Sequence, residues 1–145
     1  VSNPCTRVQF NANACPAASV LGFAKATSPL LDKPLEGPVY FRSNGGEHLL
    51  PDIVADLKGQ FEVVLVGHVD SVHARIRTTF SQVPDAPVTK FTLNLKGGKK
   101  GVLVNSSNLC AKPLSANVKL TGQNGKAQST QPVIKTGCGG KKHKK

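Results

Sequence analysis

Apolar and polar residues alternate with a period of two along several short stretches of this chain. This is the pattern of a β-strand that is buried on one face. Residues 20–27 alternate in this way, and residues 88–95 do so most cleanly. In the second stretch Phe91, Leu93 and Leu95 share one face, so we expect that face to lie in the core.

Turn-forming residues separate these stretches from further predicted strands. Fourteen Gly and ten Pro are spread along the chain, which leaves little room for long helices. Residues 50–57 fit either a helical turn begun at Pro51 or a strand, and the strand fits better. Turns are expected at residues 43–46, 58–60, 71–72, 97–101 and 122–125. The remaining predicted strands are residues 6–10, 39–42, 61–70, 73–80, 102–104, 116–120 and 132–136.

The number and spacing of these strands predict the fold class. Turn signals recur about every eight to twelve residues, which is typical of an all-β sandwich or barrel. We therefore expect an antiparallel β-sandwich of about 8–10 short strands with disulfide-pinned ends. The length of 145 residues fits one domain, which we place at residues 1–138. Residues 139–145 (GGKKHKK) hold no apolar anchor and are expected to be a flexible basic tail.

Four cysteines lie as one pair near each end of the chain, at positions 5, 15, 110 and 138. None belongs to a C-x-x-C motif, and the even count indicates two disulfides and an oxidising, extracytoplasmic compartment. Three connectivities are open to four cysteines. Pairing Cys5 with Cys15 and Cys110 with Cys138 is favoured because each bond then closes a local loop. The alternative is four buried free thiols.

The formal charge of +11 is distributed unevenly. Residues 1–85 contain all eight acidic residues, whereas residues 86–145 contain twelve Lys and no acid. Such an asymmetry predicts contact with a polyanion, and the alternative is a solvated surface with a basic tail. Lys lacks the bidentate fork of Arg, so base-specific recognition is disfavoured. The proposed contact residues are Lys90, Lys96, Lys99, Lys100, Lys141, Lys142, Lys144 and Lys145.

The search for catalytic chemistry finds little. The chain has no G-x-S-x-G elbow, no H-E-x-x-H motif and no calcium-loop motif, and GGKKG at residues 97–101 lacks phosphate-loop spacing. His68, Asp70 and His73 offer three metal ligands without an evident fourth, so ordinary polar roles are favoured. His48 is expected to be a surface residue. Carboxylate pairs for glycoside hydrolysis would have to come from Asp52, Asp56, Glu62 and Asp70, whose separation nothing in the sequence fixes.

Three segments together resemble a known group of proteins. These are CPAASVLGFAKATSPLL, LPDIVADLKGQFEVVLVGHVDSVHARIRTTFSQVPDAPVTKFTLNLKGGKKGVLVNSSNLC and KLTGQNGK, and the most specific part is VPDAPVTKFTLNLKGGKKGVLVNSSNLC. They resemble the C-terminal region of large, uncharacterised secreted proteins of actinobacteria, from about Cys15 to the end of the chain. The resemblance implies an exported, multi-module protein whose last domain ends in a basic tail. It implies no catalytic or binding residues.

These observations lead to two functional hypotheses. The first is a non-enzymatic structural or adhesive module at the bacterial cell surface. Such a module would associate with copies of itself, into fibres where an edge strand is exposed or a terminal strand is exchanged. The second is a module that binds an anionic wall polymer or a nucleic-acid backbone through its Lys-rich half. No cofactor or metal is expected. Membrane insertion is not expected either, because no stretch of 18 apolar residues occurs.

Overall fold

The computed structural model describes residues 3–101, 103–105 and 107–138, apart from the side chain of Lys100. These residues form eight β-strands, one short α-helix and two 3-10 turns, which confirms the predicted all-β class. Helix α1 spans Arg7–Asn11, and the 3-10 turns span Ala17–Ser19 and Gly98–Lys100. The strands are β1 (Val20–Thr27), β2 (Leu35–Arg42), β3 (Asp52–Lys58), β4 (Glu62–Val72), β5 (Arg75–Phe80), β6 (Lys90–Leu95), β7 (Val118–Thr121) and β8 (Ala127–Thr130).

Six of these strands form one antiparallel sheet in the order β5-β4-β3-β2-β1-β6. Strands β1 to β5 follow one another as a meander, and residues 81–89 then carry the chain back so that β6 pairs with β1. Strands β7 and β8 form a separate two-stranded sheet. The predicted sandwich is not confirmed, because the described strands of the larger sheet belong to a single curled ladder.

One face of the six-stranded sheet, which we call the inner face, carries the hydrophobic core. Side chains alternate between the two faces of each strand, so every second residue reaches this face. Several of these residues are small, and Ala24 and Ala26 of β1 stand opposite Leu93 and Phe91 of β6. The buried core residues are Leu21, Ala24, Ala26, Leu35, Val39, Ile53, Ala55, Leu57, Leu65 and Val69.

The apolar face of β6 is less buried than its sequence pattern predicts. Phe91 is 40% exposed and Leu93 is 37% exposed, whereas Leu95 packs against the core. The prediction that all three lie in the core is therefore wrong for Phe91 and Leu93. The reason is position: β6 is an edge strand, and its inward neighbours on β1 are two alanines that offer little surface to cover it.

Strands β2 and β3 approach closely at Gly37. A Cβ atom added there would lie 1.8 Å from the backbone carbonyl oxygen of Asp56 on β3. The regular pairing of β2 with β3 skips Gly37 and Pro38, since proline has no N–H to donate to the ladder. The middle of the sheet thus depends on a residue without a side chain.

We predict that Gly37→Ala lowers the free energy of unfolding by about 3 kcal/mol or more, the upper end for overpacked sites. The contact is with backbone, so a side-chain rotation cannot relieve it. Urea denaturation followed by circular dichroism measures the change. Gly97→Ala is the matched control, because an added Cβ there meets nothing within 4 Å. Equal stability of the two variants would contradict the prediction.

The N-terminal segment is helical where a strand was expected over residues 6–10. Thr6 caps α1: its Oγ1 accepts a hydrogen bond from the backbone N–H of Gln9 at 3.0 Å. The side chain of Gln9 in turn accepts from the backbone N–H of Thr6 at 2.9 Å. This reciprocal capping box satisfies backbone donors that would otherwise be unpaired, and it outweighs the weak alternation of so short a segment.

The chain divides into two compact units, the first ending at Leu103 and the second beginning at Val104, where the sequence predicts a single domain. In the second unit β7 and β8 form a hairpin, and an isolated bridge joins Ser115 to Val133 in the same register. Five residues further along each arm, that register brings Cys110 opposite Cys138, and the two form a disulfide. The strand predicted at residues 132–136 is wrong, since β8 lies at Ala127–Thr130.

Candidate functional site

Strand β3 is buried on both of its faces, and its outer face buries two carboxylates. Residues Asp52–Leu57 are all buried, so the alternation predicted for residues 50–57 is confirmed but neither face meets water. Asp52 is 0% exposed and Asp56 is 5% exposed. A buried carboxylate is costly unless it is paired, so the partners of Asp52 define the most constrained polar site of the first unit.

We call Asp52, Asn44, His48, His68 and Arg42 the Asp52 cluster. Oδ1 of Asp52 lies 2.9 Å from Nδ1 of His68 and 3.4 Å from Nδ2 of Asn44. An ionised carboxylate can only accept hydrogen bonds, so Nδ1 of His68 carries the proton and donates it. In the neutral tautomer that this hydrogen bond selects, the lone pair is on Nε2, the ring nitrogen that Asp52 does not use.

His48 lies against His68, with their ring centroids 4.5 Å apart and the ring planes tilted by 46°. The loop that carries His48 is organised by Asn44. Oδ1 of Asn44 accepts hydrogen bonds from the backbone N–H groups of Gly46 at 3.1 Å and of His48 at 3.3 Å. Nδ2 of Asn44 donates to the carbonyl oxygen of Leu50 at 2.8 Å. One buried side chain therefore orients both the loop and the Asp52 carboxylate.

Arg42 stands opposite Asp52 in the pairing of β2 with β3. Burial lowers the pKa of its guanidinium, and the Asp52 carboxylate opposes that shift. The guanidinium carbon lies 5.1 Å from the ring centroid of Phe10, a cation–π contact, and Phe10 meets the ring of Tyr40 edge-on. A backbone bridge between Cys5 and Arg42 joins the N-terminal segment to this end of β2, and the disulfide between Cys5 and Cys15 closes the loop that carries Phe10.

Two polar atoms of the cluster are left without partners. Oδ2 of Asp52 and Nε of Arg42 are buried, and neither forms a hydrogen bond with any residue that the structure describes. Such groups are uncommon in folded proteins and call for an explanation. The Asp52 carboxylate and the His68 imidazole form a pair whose free ring nitrogen, Nε2, can donate to a metal ion.

The structure does not bring His68, Asp70 and His73 together. His68 faces Asp52, whereas Asp70 forms a two-fold hydrogen-bonded ion pair with Arg77, in which Nε lies 3.0 Å from Oδ1. This bond to Arg77 holds the pKa of Asp70 below its ordinary value of 3.8. His73 lies in the turn between β4 and β5. Among the described residues, no three His, Cys, Asp or Glu side chains are placed to hold a metal ion.

Of the four carboxylates considered for catalysis, only Asp56 and Glu62 meet. A hydrogen bond with Asp56 raises the pKa of Glu62. The Nζ atom of Lys58 lies 3.4 Å from Asp56 and 4.0 Å from Glu62, so the pair shares one cation. Asp52 and Asp70 have separate partners, and the four therefore do not form one site.

Sequence reasoning missed the role of Asn44 and His48. Residues 43–46 were predicted as a turn and His48 as a surface residue, and both statements are true of the structure. No signal in the sequence places either of these two side chains. The turn at residues 58–60 does place Asp52, because counting outward from the pair Lys58–Glu62 in an antiparallel hairpin brings position 52 opposite His68.

The described lysines of the predicted polyanion surface lie on or just after β6. Lys90 begins the strand, Lys96 follows its last residue, and Lys99 lies in the 3-10 turn that comes next, all of them exposed. Lys96 also lines a cleft of about 20 Å³. The side chain of Lys100 and the residues of the predicted tail, with Lys141, Lys142, Lys144 and Lys145, lie outside the described residues.

Both disulfides have the favoured local pairing, Cys5 with Cys15 and Cys110 with Cys138. Disulfides persist in oxidising compartments, and their presence indicates such an environment for this chain. None of the described helices is long and apolar enough to cross a membrane. No known protein family, curated protein or solved structure matches the chain.

We predict that Asp52→Ala lowers the free energy of unfolding by about 2–3 kcal/mol, because it leaves His68 and Arg42 without their buried acceptor and counter-charge. Chemical denaturation at neutral pH measures the loss. Asp85→Ala, in the exposed connection before β6, is the control and should change stability by less than about 0.5 kcal/mol. An Asp52→Ala variant with an unchanged free energy of unfolding would show that the cluster contributes nothing to folding.

Proposed function

We propose that this chain is a non-enzymatic structural module of the extracellular surface that joins copies of itself edge to edge through β5 and β6. One observation carries the proposal. In the described sheet the two edges are different strands, and the antiparallel pairing of every neighbour makes β6 run opposite to β5. Copies placed side by side in the same orientation would therefore pair β6 with β5 antiparallel, which continues the ladder.

The side chains at the two edges support the same arrangement. Phe91 and Leu93 of β6 reach the inner face, and so do Ile76 and Phe80 of β5, as their pairing with core positions shows. Ile76 is 58% exposed, so both edges leave apolar surface uncovered in a single copy. Joining them would extend one apolar face across the junction, and exposed edges of this kind are templates for strand addition.

The symmetry of such a contact is compatible with fibres. A junction between two different surfaces is heterologous, and repeating it gives either a ring or an open filament. The disulfides fit an extracellular setting, and the resemblance to secreted proteins of actinobacteria supports a place at the bacterial surface.

The cationic residues on the edge strands β5 and β6 make the proposed assembly depend on salt concentration. Lys90 and Lys96 lie at the ends of β6, and Arg75 begins β5, whereas Arg77 is neutralised by Asp70. An antiparallel junction brings Arg75, at the start of β5, towards Lys96, at the end of β6, and the repulsion between these two cations falls as salt screens it. Assembly should therefore increase with ionic strength.

We predict that the chain forms regular assemblies whose amount grows between about 50 and 500 mM NaCl as screening increases. Leu93→Lys places a charge on the apolar edge and should raise the critical concentration by about tenfold or more, which is about 1.4 kcal/mol. Light scattering and negative-stain microscopy measure both effects. Leu30→Lys is the control, since Leu30 is 72% exposed in the loop before β2. A monomer at every salt concentration would refute the proposal.

A second candidate function is favoured by the composition of the second unit. Residues 104–138 contain four lysines and no acid, and all four lysines are exposed. An acid-free surface of this kind fits the electrostatic attraction of a polyanion backbone. The lysines are Lys112, Lys119, Lys126 and Lys135.

We predict salt-sensitive binding of mixed-sequence duplex DNA, and of poly(glycerol phosphate) as a wall-polymer probe. The logarithm of the DNA affinity should fall linearly with that of the salt concentration, with a slope of about −0.9 per neutralised phosphate. Lys119→Gln with Lys126→Gln should reduce the slope by up to about 2. Lys25→Gln with Lys33→Gln, in the first unit, is the matched control. Equal slopes for the two double variants would count against this function, and fluorescence anisotropy measures them.

A further inference from the structure

We propose that His48 and His68 form a binding site for a divalent transition metal ion of the Zn²⁺ or Cu²⁺ type, with Asp52 as the carboxylate behind His68. The two imidazole centroids are 4.5 Å apart. Two imidazoles that bind one tetrahedral ion at about 2.0–2.1 Å have ring centroids roughly 5 Å apart. The observed separation of the two rings is therefore close to the one that a shared ion requires.

The hydrogen bond from His68 to Asp52 orients the ring for metal binding. Histidines that bind metals almost always donate their other ring N–H to a carboxylate or carbonyl group, which fixes the tautomer and raises the basicity of the ligating nitrogen. His68 does so through Nδ1, at 2.9 Å from Oδ1 of Asp52. Its side chain is 37% exposed, whereas that of Asp52 is 1% exposed. The orienting carboxylate is thus fixed in the interior, and the imidazole it orients reaches the surface.

The unpartnered carboxylate oxygen supplies the second observation. Oδ2 of Asp52 is buried and has no hydrogen-bond partner in the described part of the chain, so negative charge is retained beneath the two imidazoles. Arg42, opposite Asp52 in the pairing of β2 with β3, is the cation that opposes this charge.

The loop of residues 43–51 holds His48 in place. Gly45 and Gly46 have φ angles of 69° and 85°, and their positive φ values allow the tight turn that Asn44 closes. Asn44 binds the backbone N–H of His48 and also contacts Asp52, so the two sides of the site share one anchor. No third described side chain completes the coordination, and water must fill the remaining positions. The site is therefore expected to be weaker than a four-ligand structural zinc site.

The site can be tested by isothermal titration of Zn²⁺ and Cu²⁺ into the intact chain at neutral pH and low salt. All proteins in the series carry His143→Ala, so that the last of the four histidines in the sequence contributes nothing. His48→Ala and His68→Ala should each lower the affinity at least tenfold. The control His73→Asn changes a histidine of the β4–β5 turn and should leave the affinity unchanged.

Two further measurements identify the role of Asp52. Asp52→Asn should weaken binding about 10–100-fold, the usual effect of removing an outer-shell carboxylate, with folding checked by circular dichroism. In wild type, NMR of the imidazole nitrogens should show metal on Nε2 of His68 while Nδ1 keeps its proton. Affinity should also fall as the pH is lowered, since protons compete for the ligating nitrogens. Absent binding, or equal binding by His48→Ala, His68→Ala and their parent, would overturn the proposal.

Discussion

The first unit depends on burying the Asp52 carboxylate in the outer face of its central strand. A charge placed there must be compensated, and the compensation comes from three directions: β4 supplies His68, β2 supplies Arg42, and the loop before β3 supplies Asn44. Each of these residues lies close to Asp52 only when its own element is in the right position. The polar site therefore acts as a check on the pairing of three strands, since a shift of one residue would move Asp52 to the inner face.

The same requirement explains why a short helix and a disulfide lie at this end of the sheet. Arg42 needs cover on its outer side, and Phe10 provides it through the face of its ring. A helix of five residues has little stability alone, so its position relies on the capping box of Thr6 and on the Cys5–Cys15 bond. The short helix and the disulfide thus help to position Arg42, which stands opposite the buried Asp52 carboxylate.

Much of the strand pattern could be predicted from sequence, and the exceptions have physical reasons. Strand β8 (Ala127–Thr130) carries no apolar alternation, because all four of its residues are exposed, so a hydrophobic pattern could not reveal it. The turn between β4 and β5 was expected two residues too early. It is formed by His73 and Ala74 at φ values of 50° and 61°, where Asn and Gly are the usual residues. Phe91 is exposed because β6 is an edge strand, and the hydrophobic pattern of a sequence does not show which strand lies at an edge.

The candidate metal site illustrates what limits sequence reasoning about side-chain clusters. From the sequence, His68 is a candidate ligand only together with Asp70 and His73 on its own strand and turn. Closeness along the sequence can be seen directly, whereas the register between strands cannot. Across an antiparallel ladder the directly opposed residue is the nearest one on the same face, and here that residue is Asp52. The hairpin turn at Gly59 fixes the register, so a turn prediction combined with counting would have joined Asp52 to His68. The position of His48 could not be reached in that way, since it depends on a loop whose conformation is set by the hydrogen bonds of Asn44 rather than by any repeat in the sequence.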